Sequence, residues 1–166
     1  CEGLVGSEMC IRDSSISVHF SEIFETLFPG GKGSLSFTNK TNILETGIEI
    51  SVQPRGKKVK KLSLLSGGER SLAAIAFLFS IFKSFPSPFY ILDEVEAALD
   101  DANLHRMINL LDKIKEDAQY IIVTHQQQTM HAGDVLYGVT MEPGSGSRVF
   151  TKTKEDFESL IGTNEK

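Results

Sequence analysis

The chain has 166 residues, 40% of them hydrophobic and 23% charged, which is enough to bury the core of one ordinary globular domain. Its net charge of −5 excludes a global electrostatic pull toward nucleic acid, so any such contact has to be local. The longest apolar stretch, Leu72 to Phe82, is interrupted by Ser80 and is too short to span a bilayer, and no basic stretch leads into an apolar signal.

Residues 1–13 show no clear periodicity and do not start with Met, and are expected to be a non-native or disordered segment, a cloning or sequencing artefact fused to the reading frame. The chain's two cysteines, Cys1 and Cys10, lie there. Neither a disulfide framework nor a zinc site is implied, and the cysteine-free remainder suits a reducing cytoplasm. From Ser14 to Phe28, Ile16, Phe20, Ile23, Phe24 and Leu27 fall at helical spacing, and Pro29-Gly30-Gly31 ends the helix. Gly30 to Ser34 resembles a phosphate loop only superficially. That loop needs Gly, four residues, then Gly-Lys-Ser/Thr; here four residues separate Gly31 from Thr26 and Gly33 follows Lys32. A turn is expected instead.

Ser34 to Thr38 and Gly47 to Gln53 read as strands. The second alternates Ile48, Ile50 and Val52 with Glu49, Ser51 and Gln53, predicting one buried and one wet face. Pro54 stops it. Arg55 to Lys61 then carries five basic residues in seven, either a solvated loop or a local patch for a phosphate backbone or partner subunit.

Ser66 and Glu69 stand three apart before an apolar run, the arrangement of a capping box, with Ser66 as N-cap. Gly67 and Gly68 spend about 1 kcal/mol each relative to Ala in the first turn, which argues that something approaches the backbone closely. The helix terminus, with its free N–H groups, is a natural anion site. Leu72, Ile75, Ala76, Leu78, Phe79 and Phe82 make the helix apolar nearly all round and predict deep burial.

Phe89 to Leu92 is a continuous apolar run, expected as a buried parallel strand. Asp93 and Glu94 end it, at the edge where α/β sheets place ligands. Asp93 is expected to hold Mg²⁺ and Glu94 to act as general base toward the attacking water. Asp100 is a plausible N-cap for a helix with Leu104, Met107, Ile108, Leu111 and Ile114 on one face. Tyr120 to Val123 is a second apolar strand, followed by Thr124 and His125, and His125 is expected at the same ligand edge. Gln126 to His131 reads as a short helix, Val135 to Met141 and Ser147 to Thr151 as closing strands, and Thr153 to Ile161 as a terminal amphipathic helix.

Taken as a set, LSGGE, a strand ending in Asp93-Glu94, AALDD and VTH resemble the signature motif, Walker B, D-loop and switch histidine of ABC-type ATPases. LSLLSGGERSL, SPFYILDEVEAALDDANL and VTHQQQTMHAGDVLYGVTM are similar, more narrowly, to the C-terminal head of bacterial SMC (structural maintenance of chromosomes) proteins, actinobacterial members above all. The likeness covers roughly residues 14–152; Arg55 stands where a second proline is expected.

The resemblance implies an α/β fold of the P-loop NTPase superfamily, the C-terminal lobe of an ABC-type head, with a mainly parallel sheet flanked by helices over residues 14–161 and a tail at 162–166. It implies ATP and Mg²⁺, with the phosphate loop on a separate N-terminal lobe and the nucleotide sandwiched between two heads. Ser66, Gly67, Gly68 and Glu69 would face nucleotide on the opposite head, Asp100 would sit near the head dimer interface, and His125 would contact the γ-phosphate or order the water. Asp93 and Glu94 would serve the head's own nucleotide. A second head, kleisin-type subunits and DNA are the implied partners, with no membrane, in a cytoplasmic, nucleoid-associated setting. Competing readings are a related SMC-like repair ATPase, an ABC transporter nucleotide-binding domain fragment, and a degenerate head that binds without hydrolysing. Intact Asp93, Glu94 and His125 disfavour the last.

Overall fold

The computed structural model describes residues 4–38, 47–53, 55–56, 60–141, 144 and 146–156, with side chains described from residue 15 onward except that of Lys60. The chain divides into two compact units, Cys1–Val123 and Thr124–Lys166. In the first, α1 (Leu4–Leu27) leads into β1 (Lys32–Phe37), β2 (Ile48–Gln53) and β3 (Lys60–Lys61). A 3-10 turn (Leu62–Leu64), α2 (Gly67–Ser84), β4 (Phe89–Asp93), α3 (Asp101–Ile114) and β5 (Gln119–Val123) follow.

Helix α1 begins at Leu4, ten residues before the expected start at Ser14, so the backbone of 4–13 is helical. It ends as its sequence demands: Phe28 N–H donates to Phe24 O (2.7 Å), Gly31 N–H to Phe28 O (2.7 Å), and Gly30 takes a positive φ of 74°. Lys32 is the first residue of β1, paired with Gln53, so the glycine-rich stretch is a turn into a strand and not a phosphate loop. Gly33 has a packing role: a Cβ there would lie 2.6 Å from the Phe24 ring and 2.8 Å from the Phe20 ring. Gly33→Ala is therefore expected to destabilise the chain by about 1–3 kcal/mol, the usual cost of overpacking, measurable as a lower denaturant midpoint at unchanged slope.

The core lies between α1, α2 and α3. Phe20, Phe24 and Leu27 of α1, Leu72 of α2 and Met107 of α3 are fully buried, each contributing roughly 1.5–3 kcal/mol. Phe24 stacks on Phe28 with ring centroids 4.3 Å apart. Of the apolar set expected to be deeply buried on α2, Leu72, Ile75, Ala76 and Phe79 are buried, while Leu78 and Phe82 are half-buried; Ala74 is exposed. At the far end of the α1–α2 seam, His19 Nδ1 and Ser84 Oγ are hydrogen-bonded (2.8 Å) and Lys83 pairs with Glu22 (2.7 Å), which holds the exposed Glu22 carboxyl below its ordinary range.

The sheet expectation is corrected. Strands β1, β2 and β3 form an antiparallel sheet, and only β4 and β5 are parallel. Parallel neighbours need a long crossover, and α3 supplies it between β4 and β5, whereas β1–β2, β2–β3 and β6–β7 are successive strands with no helix between them among the described residues. Burial on β4 is corrected too. Leu92 is 2% exposed, but Phe89 is 52% and Ile91 63% exposed. One face of the pair packs on the helices, with Tyr90 stacked on Tyr120 at 5.3 Å. Burial and then the neighbouring Tyr90 push the Tyr120 phenol up to about 12. The other face is apolar and open. On β2, Val52 is buried while Ile48 is 51% exposed, so its predicted apolar face is buried at one end only.

The second unit holds α4 (Gln127–Ala132), β6 (Val135–Met141) and β7 (Ser147–Thr153), the two strands forming an antiparallel pair. Gly138 faces Phe150 across the ladder, where the ring occupies the space a Cβ would need. Of the expected terminal helix, Thr153 and Asp156 exchange hydrogen bonds as an N-cap pair (2.9–3.3 Å); its continuation and the 162–166 tail lie outside the described residues. Among the described residues, no helix is long and apolar enough to cross a membrane.

Candidate functional site

The turn that opens α2 is built as its sequence requires. Ser66, in an extended conformation, accepts a hydrogen bond at Oγ from Glu69 N–H (3.3 Å), and Glu69 Oε2 accepts from Ser66 N–H (3.2 Å) and Ser66 Oγ–H (3.1 Å). The reciprocal pair fixes the carboxylate over the helix start, so Glu69 is committed to the cap. Arg70 adds a brace that sequence reasoning missed: its Nη2 donates to Ser63 O and Leu65 O (3.4 Å each), tying the 3-10 turn to the helix.

The two glycines differ. A Cβ on Gly67 would meet nothing within 4 Å, whereas on Gly68 it would lie 3.2 Å from Asn103 Nδ2 and 3.3 Å from Asp100 Oδ2. The fold thus brings the α2 turn and the start of α3 together. Asp100 caps α3 as expected, accepting from Asn103 N–H at Oδ1 (2.8 Å). Asn103 is 7% exposed and also donates Nδ2–H to Asp100 Oδ2 (3.2 Å). Its place three residues after the cap was the available signal for it.

Asp93 and Glu94 sit at the C-terminal end of β4, both exposed, so burial alone forces no cation on them. Glu94 N–H donates to Val123 O (3.0 Å), and Glu94 O accepts from Ala97 N–H (3.1 Å). Between these bonds Glu94 takes φ 46°, the one positive φ outside glycine among the described residues. Such a conformation costs about 1–3 kcal/mol and persists where surrounding bonds over-determine it, commonly at functional sites. Glu96, 2% exposed, is a buried carboxylate that the sequence did not single out.

His125 is exposed in the second unit, beside Thr124, whose Oγ1 accepts from Gln126 N–H (3.0 Å). In the basic stretch, Lys57 and Lys58 lie outside the described residues. Lys61 pairs with Glu49 (2.7 Å), so one of its five charges is locally balanced.

No group of three or more His, Cys, Asp or Glu among the described residues could hold a metal by itself. Mg²⁺ ordinarily uses one or two carboxylates and completes its shell with phosphate oxygens and water, so an accessible Asp93 fits a nucleotide-borne ion.

Comparison with solved proteins gives the class first. An SMC ATPase studied for ATP-driven dimerization and DNA-stimulated activation superposes with a TM-score of 0.80 at 37% identity, covering 97% of both chains. An Smc head bound to the C-winged helix domain of ScpA superposes at 0.79 with 40% identity, over 88% of this chain and 45% of that one. The fold is that of SMC ATPase heads.

A family model described as "RecF/RecN/SMC N terminal domain" matches residues 11–148, and the chain belongs to that family. The Chromosome partition protein Smc of Mycolicibacterium paratuberculosis is 54% identical over 129 residues, covering 78% of this chain. That of Bacillus subtilis is 49% identical over 146 residues, covering 88%. The chain spans only 11% and 12% of the length of these two relatives.

Proposed function

We propose that this chain is the C-terminal lobe of an SMC ATPase head, contributing the signature turn, the strand-end carboxylates and the switch histidine to ATP hydrolysis in chromosome partition. The observation that carries the reading is the open face of β4 and β5. Phe89, Ile91, Ile121 and Val123 are 45–63% exposed on one apolar surface, directly before Asp93 and Glu94. A parallel sheet is ordinarily covered on both faces, so this one is half of a sheet awaiting the rest of its domain. The sequence holds no Gly-x4-Gly-Lys-Ser/Thr loop, so the missing part is the lobe that grips the phosphates. The family description names an N-terminal domain; the motif content supports the C-terminal part, over residues 14–161.

In this reading Asp93 would hold the Mg²⁺ that travels with ATP, and the ion would neutralise phosphate charge. Glu94 takes the proton of the attacking water as its oxygen bonds to the γ-phosphorus and the bond from that phosphorus to the β,γ-bridging oxygen breaks, releasing ADP. His125 contacts the γ-phosphate or orders that water. Ser66 and the N–H groups at Gly67 and Gly68 bind the γ-phosphate held by a second head, with Asp100 near the interface; Glu69 supports the turn rather than touching nucleotide. Two such heads engage on ATP and part after hydrolysis. The ScpA-bound Smc head supports a kleisin-type partner, and the Smc relatives support chromosomal DNA as the cargo of a cytoplasmic, nucleoid-associated complex. The same relatives favour chromosome partition over the repair-ATPase alternative.

The test is ATPase activity of this chain alone and co-expressed with a lobe that carries the phosphate loop. Little or no turnover alone, activity in the pair, and loss with Ser66→Arg are expected. Robust turnover by the isolated chain, or silence in a well-folded pair, sinks the reading.

A further inference from the structure

Asn103 is a polar side chain buried in the first turn of α3. It reaches from the first turn of α3 to the first turn of α2, and both ends of its amide are used. Its Nδ2–H donates to Asp100 Oδ2 (3.2 Å) and its Oδ1 accepts from Arg106 Nη1 (3.2 Å). The guanidinium can only donate and the Asp100 carboxylate can only accept, so the amide has one satisfied orientation. Against it lies Gly68, whose absent Cβ would stand 3.2 Å from Asn103 Nδ2 and 3.3 Å from Asp100 Oδ2. That is tighter than ordinary side-chain contact, and the neighbours are pinned by hydrogen bonds. Gly67 has open space where its side chain would be.

We infer that Gly68 and Asn103 form an intrachain clasp that sets the register of the Ser66–Gly67 turn against Asp100, with Asn103 as a positioning residue and Gly67 as the glycine kept bare for an incoming ligand. Arg106 orients Asn103, Asn103 orients Asp100, and Gly68 lets α2 seat against both. A displacement of Asp100 is therefore handed to the signature turn through one buried amide. The inference rests on the proposed function for what the positioned groups do; the clasp itself is a contact within one chain.

Two measurements test it. The first is thermal unfolding of the chain with Gly67→Ala, Gly68→Ala, Asn103→Ala and the Gly68→Ala/Asn103→Ala double variant. Gly67→Ala should leave the midpoint unchanged or slightly higher, since Ala is the better helix residue. Gly68→Ala should lower it by about 3–6 °C. The double variant should lose less than the sum of the single losses, because removing the amide makes room for the new methyl. Additive losses, or Gly67→Ala as damaging as Gly68→Ala, would overturn the clasp.

The second is ATP-dependent engagement of heads assembled with the complementary lobe. Asn103→Asp keeps the volume but sets a second carboxylate against Asp100. It should weaken engagement about tenfold, a loss that Asn103→Gln does not restore because the longer amide cannot seat against Gly68. The Gly68→Ala defect should be partly recovered by adding Asn103→Ala. Engagement indifferent to Asp at 103 in a folded head overturns the positioning role. Parent heads that never engage on ATP would remove the proposed function and that role together, while the unfolding cycle still decides the clasp.

Discussion

Glu94→Gln is expected to lower ATP turnover of the assembled head by about 10²–10⁴-fold, the usual contribution of a general base, while ATP still drives head engagement. Gln matches Glu in size and keeps the backbone bonds to Val123 O and from Ala97 N–H, so the φ of 46° and the placement of the side chain are retained. What it lacks is a basic oxygen to accept the water's proton. Binding groups elsewhere, at Ser66 and Gly67, are untouched. Phosphate release measured beside head crosslinking separates the two effects. Turnover at the parent rate would remove Glu94 from the base role. Loss of both turnover and engagement would mean that its charge serves assembly instead.

The residues that fold locally were the legible ones. The Ser66–Glu69 capping box and the Asp100 cap are set by side chains within three residues of one another, and the structure has each where the spacing put it, as it has the strand expected over Val135 to Met141. What failed depended on partners distant in sequence. Phe89 to Leu92 was read as buried because an apolar parallel strand normally has cover on both faces. Composition cannot reveal that half the cover is absent from the described residues. The mainly parallel sheet failed because the described strands divide among three small sheets, and of these strands only β4 and β5, joined through α3, pair in parallel.

The site was legible as motifs but not as geometry. Both signature glycines looked like space for another body, yet Gly68 is filled from within by Asn103 and Asp100. Asp93 and Glu94 end a strand that was expected to be buried, yet both are exposed. The strain lies in the Glu94 backbone instead, and no propensity of Glu announces a left-handed φ.

Ile91→Lys should separate folding of the chain from assembly of the head. Ile91 is 63% exposed at the centre of the open β4–β5 face, opposite Ile121 in the register. In the chain alone the lysine's ammonium stays in water, so the unfolding free energy should move by no more than about 0.5 kcal/mol, as for other exposed substitutions. Once a second lobe covers this face, the same ammonium must be buried among Phe89, Ile121 and Val123, while Asp93, two residues along on that face, is committed in this reading to Mg²⁺. That costs several kcal/mol, more than enough to dissolve an interface of domain-like size. The expected result is a chain that unfolds at the parent midpoint, no longer co-purifies with the complementary lobe and supports no ATP turnover. Ile91→Val, which keeps the surface apolar, should assemble normally. Because Asp93 is only two residues further along the same strand, assembly without the open face would be assembly without the carboxylates in register. An Ile91→Lys chain that pairs and hydrolyses like the parent would therefore place the second lobe on another surface and remove the observation on which the composite head rests.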